Sequence, residues 1–166
     1  MPARFFMVFA AFVLVGLLQV EANAQTRSRF TTMLRGASMC LDVINDGQND
    51  KLRLATCGNY SGQWWTIRPT GTAGLYRLTN EFTGTAKCVD VVNDGRNDRL
   101  QMATCGNFTG QTWAMESTQH IGFYRLKNQF TGSGKCVGVF NDTQLQLENC
   151  GDVPGQYWSK SFRSSN

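Results

Sequence analysis

CLDVINDGQNDKLRLATCGNYSGQWW, residues 40–65, decides how the chain is built, because it is written three times. It returns as CVDVVNDGRNDRLQMATCGNFTGQTW over residues 88–113. A shortened third form, CVGVFNDTQLQLENCGDVPGQYW, covers residues 136–158. The first cysteines (Cys40, Cys88, Cys136) are spaced 48 and 48 apart. The second cysteines (Cys57, Cys105, Cys150) and the glutamines of Gln-x-Trp (Gln63, Gln111, Gln156) are spaced 48 and 45. The third copy has therefore lost three residues, and the loss falls in its Asn-Asp-Gly turn.

Working outward, each copy is made of short runs in which apolar and polar residues alternate, such as Cys88-Val-Asp-Val91 and Arg99-Leu-Gln-Met102. Turn clusters (Asn45-Asp-Gly47, Asn93-Asp-Gly95, Thr83-Gly84, Thr131-Gly132) separate them. Alternation with period two is the mark of half-buried strands. Four strands per copy are expected. In copy one they lie near Phe30–Leu34, Met39–Ile44, Lys51–Thr56 and Gln63–Arg68. In copy two they lie near Leu75–Phe82, Lys87–Val92, Arg99–Thr104 and Gln111–Glu116. In copy three they lie near Phe123–Phe130, Lys135–Phe140, Leu145–Asn149 and Tyr157–Phe162. Twelve strands in three equal units make an all-β, closed, threefold structure, since three blades are too few for a propeller.

The N-terminus reads as an export signal. Arg4 precedes an apolar run, Phe5–Leu18, and Ala22-Asn23-Ala24 offers a small-x-small cleavage site. A bilayer span takes about 20 apolar residues, so the run is short for an anchor. Residues 1–24 are expected to be removed and residues 25–166 to form one domain, with repeats at about 29–70, 71–117 and 118–166. The product would be secreted or periplasmic, with no membrane insertion after cleavage. Six cysteines in an exported chain imply a disulfide framework, and the repeat makes Cys40–Cys57, Cys88–Cys105 and Cys136–Cys150 the economical pairing. Zinc spacing is absent and His120 is the only histidine. No cofactor is expected. The net charge of +4 is spread without a basic run, so nothing points to nucleic acid.

Strand alternation places Asp42, Arg53 and Ala55 on one outward face beside the first bridge. The corresponding sets are Asp90, Gln101 and Ala103 in copy two, and Gly138, Gln146 and Glu148 in copy three. The opposite faces carry Leu, Val or Met for the core. Trp65, Trp113 and Trp158 occupy equivalent places and are expected in that core, each Gln bonding a nearby backbone turn. Trp64 has no tryptophan counterpart and is expected at the surface. An Asp42–Arg53 ion pair is expected to weaken the first copy relative to the second. Asn45–Asp50 and Asn93–Asp98 resemble the start of a calcium loop but lack the distal glutamate, and Asn-Asp-Gly is itself a strong turn former. Asn59, Asn107 and Asn141 stand in glycosylation sequons.

The pattern Cys-x-Asp-Val … Cys … Gln-x-Trp, present twice and a third time with Gly138 for the aspartate, resembles the ricin B-chain type of β-trefoil lectin, a family also found as carbohydrate-binding modules on glycosidases. The resemblance covers the mature chain. It implies a trefoil, up to three shallow sugar sites and no catalysis in the module. It puts the sugar-binding aspartate at Asp42 and Asp90, with Gly138 leaving the third site dead, and the polar partner at Arg53, Gln101 and Gln146. Two contacts frequent in the family are missing. Ala55, Ala103 and Glu148 stand where a stacking aromatic is common, and Gly62, Gly110 and Gly155 where an asparagine is. The loop after the second cysteine offers replacements in the two copies that keep the aspartate: Asn59 with Tyr60, and Asn107 with Phe108. Those rings serve either as sugar-facing platforms or as staples holding the loop to the barrel; both suit a part-buried aromatic. The expected partners are glycans or glycoconjugates. A protein-binding trefoil (a protease inhibitor or adhesion factor) is the alternative, although its long distinctive loop is absent; the longest connections are the ordinary 69–74 and 117–122. A glycosidase needs an acid in an apolar pocket, and no unrepeated insertion builds one.

Overall fold

The computed structural model describes residues 27–163; the signal peptide expected over residues 1–24 lies outside the described residues. Twelve strands arise in chain order. Six of them close a barrel: β1 (Arg27–Thr32), β4 (Trp65–Pro69), β5 (Leu75–Asn80), β8 (Trp113–Ser117), β9 (Phe123–Asn128) and β12 (Trp158–Phe162). Each pairs antiparallel with the next, and β12 returns to β1, so none is left with a bare edge. Three hairpins cap one end of the barrel: β2 (Gly36–Val43) with β3 (Leu52–Thr56), β6 (Gly84–Val91) with β7 (Leu100–Thr104), and β10 (Lys135–Phe140) with β11 (Gln144–Asn149). This is the β-trefoil.

The hairpin register turns the sequence alternation into two faces. Leu41 lies opposite Leu54, Val89 opposite Met102 and Val137 opposite Leu147, and all six are buried. The residues between them in the chain point outward, which sets Asp42 opposite Arg53, Asp90 opposite Gln101, and Gly138 opposite Gln146. The core gathers these apolar residues around Phe30, Leu78, Leu126 and the three tryptophans Trp65, Trp113 and Trp158, each at most 1% exposed. A buried indole still has one N–H to satisfy. The three donate to the carbonyls of Leu41, Val89 and Val137 at 3.0, 2.9 and 2.8 Å, which locks each barrel strand onto its own cap hairpin.

The hairpins are tied to each other in a ring. Leu54 N–H donates to Thr143 O, Met102 N–H to Asp50 O, and Leu147 N–H to Asp98 O, all at 2.7 Å. The turns that enter this ring need positive φ, supplied by Gly47 and Asn49 in copy one and by Gly95 and Asn97 in copy two. The shortened third turn places Asn141 and Asp142 there instead. Asp46 and Asp94 are spent inside their turns. Asp46 accepts from Gln48 N and Asn49 N and pairs with Lys51 at 2.8 Å, and Asp94 repeats the pattern with Arg99 at 2.6 Å. The Lys51 and Arg99 contacts, helped by the backbone donors, hold both carboxyls down to about 2. Among the described residues no group of three His, Cys, Asp or Glu is placed to hold a metal ion.

Disulfides join Cys40 to Cys57, Cys88 to Cys105 and Cys136 to Cys150, with Cα separations of 5.0–5.1 Å. Each ties the first strand of a cap hairpin to the residue just beyond its second strand. With a sequence separation of 17 in the first two copies, the chain-entropy account assigns about 3 kcal/mol to each. Replacing Cys88 and Cys105 by serine should lower stability by about that amount in a denaturant titration, the m-value staying constant.

Three expectations are corrected. Gln63 and Gln111 do not open strands, and the third copy's last strand starts at Trp158, one residue after the expected Tyr157. The glutamine of each copy closes a 3-10 turn (Ser61–Gln63, Thr109–Gln111, Pro154–Gln156), and the fourth strand begins at the tryptophan two residues later. The first strands of copies two and three end at Asn80 and Asn128, before Phe82 and Phe130, because these asparagines turn inward to bond the preceding copy. Trp64 is not on the surface. It is 8% exposed, its ring lying 4.2 Å from the Arg29 guanidinium and 5.1 Å from that of Arg163. Thr112 and Tyr157 at the equivalent positions are buried as well. The position is a threefold interior site, which the change of residue type hides in the sequence.

Candidate functional site

The Gln-x-Trp glutamines organise the outward face. In copy one, Gly58 N–H donates to Gln63 Oε1 at 2.8 Å, which fixes the amide so that Nε2 faces the other way. That nitrogen donates to Thr56 O at 2.9 Å and to Asp42 Oδ2 at 3.3 Å. Copy two repeats the set: Gly106 N–H to Gln111 Oε1 at 2.8 Å, Nε2 to Thr104 O at 2.9 Å and to Asp90 Oδ2 at 3.1 Å. Asp90 Oδ1 also accepts from Val91 N–H at 2.8 Å. A buried glutamine, itself fully satisfied, thus holds each carboxylate in one orientation. In copy three Gln156 makes the same two backbone bonds, with Gly151 N and Asn149 O. Gly138 gives it no carboxylate to hold. There Gln146 donates to Glu148 at 2.6 Å, so the third copy's polar groups satisfy one another.

Gly62 and Gly110 gain their reason here. A Cβ at Gly62 would lie 2.3 Å from Asp42 Oδ1, and one at Gly110 would lie 2.4 Å from Asp90 Oδ1. Each carboxylate oxygen occupies the space that a side chain at that position would need, so the asparagine frequent in the family has no room. At Gly155 the nearest atom is 3.5 Å away. Gly110→Ala should therefore displace Asp90 and cost the second site at least tenfold in affinity, while Gly155→Ala leaves binding unchanged. Titration calorimetry of the two variants side by side checks this.

The loops after the second cysteines carry the aromatics. Tyr60 and Phe108 are 64% and 62% exposed, so neither is tucked into the barrel. Each ring edge instead rests on a glycine two residues earlier: a Cβ at Gly58 or Gly106 would come within 2.3 Å of the ring. One side of the ring is supported by backbone and the rest is open. The loop is held from below by an arginine of the copy's first strand. Arg29 donates to Gly58 O at 2.6 Å, and Arg77 donates to Asn107 Oδ1 at 3.2 Å. Arg125 donates to Gly151 O at 3.0 Å. Sequence reasoning passed over this trio, although positions 29, 77 and 125 recur at 48 residues.

Two clefts result. The first, about 810 Å³, brings together Asp42, Arg53, Asn59, Tyr60 and Gln63 with Phe82 on its far wall. The second, about 660 Å³, brings together Asp90, Gln101, Asn107 and Phe108, with Phe130 in the place of Phe82. Phe82 and Phe130 were also missed; the repeated Phe-Thr-Gly at 82–84 and 130–132 was their signal. Asn80 and Asn128 aim the cleft floor from behind, donating to Gly62 O and Gly110 O at 2.8 Å. The expected Asp42–Arg53 ion pair is not formed. The two residues face each other in register, but the Asp42 carboxylate is turned to Gln63, and Arg53 has no ion-pair partner among the described residues.

Comparison with known proteins gives the family and the fold. The family model described as ricin-type beta-trefoil lectin domain matches residues 30–158. Comparison with curated proteins returns no match. Among solved structures, the designed threefold symmetric protein ThreeFoil superimposes with a TM-score of 0.69 at 20% identity, over 81% of this chain and 96% of that one. A mosquitocidal holotoxin gives 0.72 at 14% identity, over 84% of this chain but 17% of the toxin. SeviL, solved with the asialo-GM1 saccharide, gives 0.62 at 20% identity, over 82% and 96%. At these identities the likeness shows the fold. In the toxin, that fold is one part of a much longer protein.

Proposed function

Because the chain belongs to the ricin-type β-trefoil lectin family, whose members bind carbohydrate, we propose that it is an exported, non-catalytic glycan-binding domain with two working sites. Residues 1–24 act as the export signal and residues 25–166 as the binding domain. The observation that carries the reading is the paired arrangement Gln63–Asp42 and Gln111–Asp90. An ionised carboxylate held by a buried amide, at the floor of a half-open cleft, accepts hydrogen bonds from two neighbouring sugar hydroxyls without having to be ordered on binding. Asn59 and Asn107 supply donors on the loop side. Tyr60 and Phe108 supply an apolar face for the C–H side of a pyranose. Arg53 and Gln101 complete the polar rim.

The third copy carries none of this, so two sites per chain are proposed. The saccharide bound in SeviL supports glycans as the ligand class. A glycan array probed with the mature protein and with the Asp42→Ala/Asp90→Ala double variant tests the reading. Binding to a defined set of glycans, lost in the double variant, is expected. A double variant that binds the same set equally well would contradict it.

A further inference from the structure

Arg53 stands where two depressions meet. It lines the Asp42 cleft and also a basin of about 640 Å³ on the threefold axis, between the tips of the three cap hairpins. The basin holds four cations. Lys51 is matched by Asp46 and lies in the field of Asp50, Arg99 is matched by Asp94, and Arg96 by Asp98 at 3.1 Å. Arg53 is the cation left over, exposed and without an ion pair or hydrogen bond among the described residues. Its counterparts in the other copies are the neutral Gln101 and Gln146.

The neighbouring hairpin sharpens the contrast. The strand beside the first cleft is tied through Leu54 N–H to Thr143 of the shortened third turn, and Thr143 lines both the cleft and the basin. The corresponding bond of copy two runs from Met102 N–H to the main-chain carbonyl of Asp50, a residue that lines the basin but not the second cleft. Copy one therefore sets a free guanidinium beside a neutral threonine. Copy two has the neutral Gln101 in the arginine's place. Fixed charges a few ångströms from a ligand decide between neutral and anionic partners far more than they add to bulk affinity.

We propose that the copy-one cleft is an oligosaccharide site with an acid subsite. The first sugar sits on Asp42, and a carboxylate or sulfate on the adjoining residue meets Arg53 at the entrance to the basin; copy two selects neutral glycans. This rests on the lectin reading of the same clefts. The guanidinium fork matches either oxyanion with two N–H groups.

The test isolates each cleft. Neutral, sialylated and sulfated forms of one oligosaccharide are titrated into the Asp90→Ala variant, which keeps copy one, and the Asp42→Ala variant, which keeps copy two. In Asp90→Ala the acidic forms should bind about three- to tenfold tighter than the neutral form at low salt. The sialylated and sulfated arms report which oxyanion fits. The ratio should shrink in 1 M salt, fall to about one when Arg53→Gln is added, and survive Arg53→Lys in part. In Asp42→Ala no acid preference should appear. Equal binding of neutral and acidic forms in Asp90→Ala, or a ratio indifferent to Arg53→Gln, overturns the acid subsite and leaves the lectin reading standing. If no form binds either variant or the parent chain, the lectin reading falls and the subsite with it.

Discussion

Trp113→Ala should destabilise the whole domain by about 3–5 kcal/mol, the range for truncating a large buried aromatic. The ring is 1% exposed and belongs to the single core shared by all three copies. A pocket of only about 20 Å³ remains beside it, lined by Leu78, Leu126, Trp158 and others, so the surroundings are already close-packed around the indole. Its N–H to Val89 O at 2.9 Å would also be lost, leaving a carbonyl of the cap hairpin unsatisfied. Against a typical total of 5–15 kcal/mol, that is a large share, and the melting temperature should fall by about 10–20 °C. Trp113→Phe should recover most of the packing but not the hydrogen bond. Calorimetric melting of the three proteins checks the order. An unchanged melting temperature for Trp113→Ala would mean that the repeated tryptophans are not the structural element claimed here.

The second large effect is on binding. Asp42→Ala and Asp90→Ala should each lower affinity at their own site by tenfold or more, since a charge-assisted acceptor serving two hydroxyls is removed and the Gln63 or Gln111 amide behind it faces the ligand with a donor instead. Stability should hardly move. Each carboxylate lies on the outward face, and its glutamine keeps two backbone partners without it. The melting temperature should fall by no more than a few degrees in either variant. Because Arg53 leaves Asp42 free, the two losses should be similar, not weighted towards copy two as an Asp42–Arg53 ion pair would have required.

The repeat made most of the fold legible. A 48-residue period with internal alternation forces equivalent strands, and once Leu41, Val89 and Val137 are assigned inward, Asp42, Asp90 and Gly138 must face out. What the residues did not disclose was side-chain direction beyond the strand. The Asp42 carboxylate turns to Gln63 and not to Arg53 because Gly62 vacates the space beside it, a consequence of a missing Cβ that no pairing rule contains. Trp64 was misplaced because the reading relied on residue identity. Thr112 and Tyr157 share its burial but not its chemistry. Phe82 and Phe130 lie just after the next copy's first strand, β5 or β9, yet the barrel's closure brings them back over the preceding cleft. Contacts of that kind come from ring topology and are visible only in three dimensions.

The count of sites is the most direct test of the account. Isothermal titration of the mature protein with a monovalent form of an array-selected glycan should give two sites per chain. One should remain in Asp42→Ala, one in Asp90→Ala, and none in the double variant. A stoichiometry of three, or a double variant that still titrates, would contradict the claim that Gln-held aspartates make the sites and that Gly138 unmakes the third.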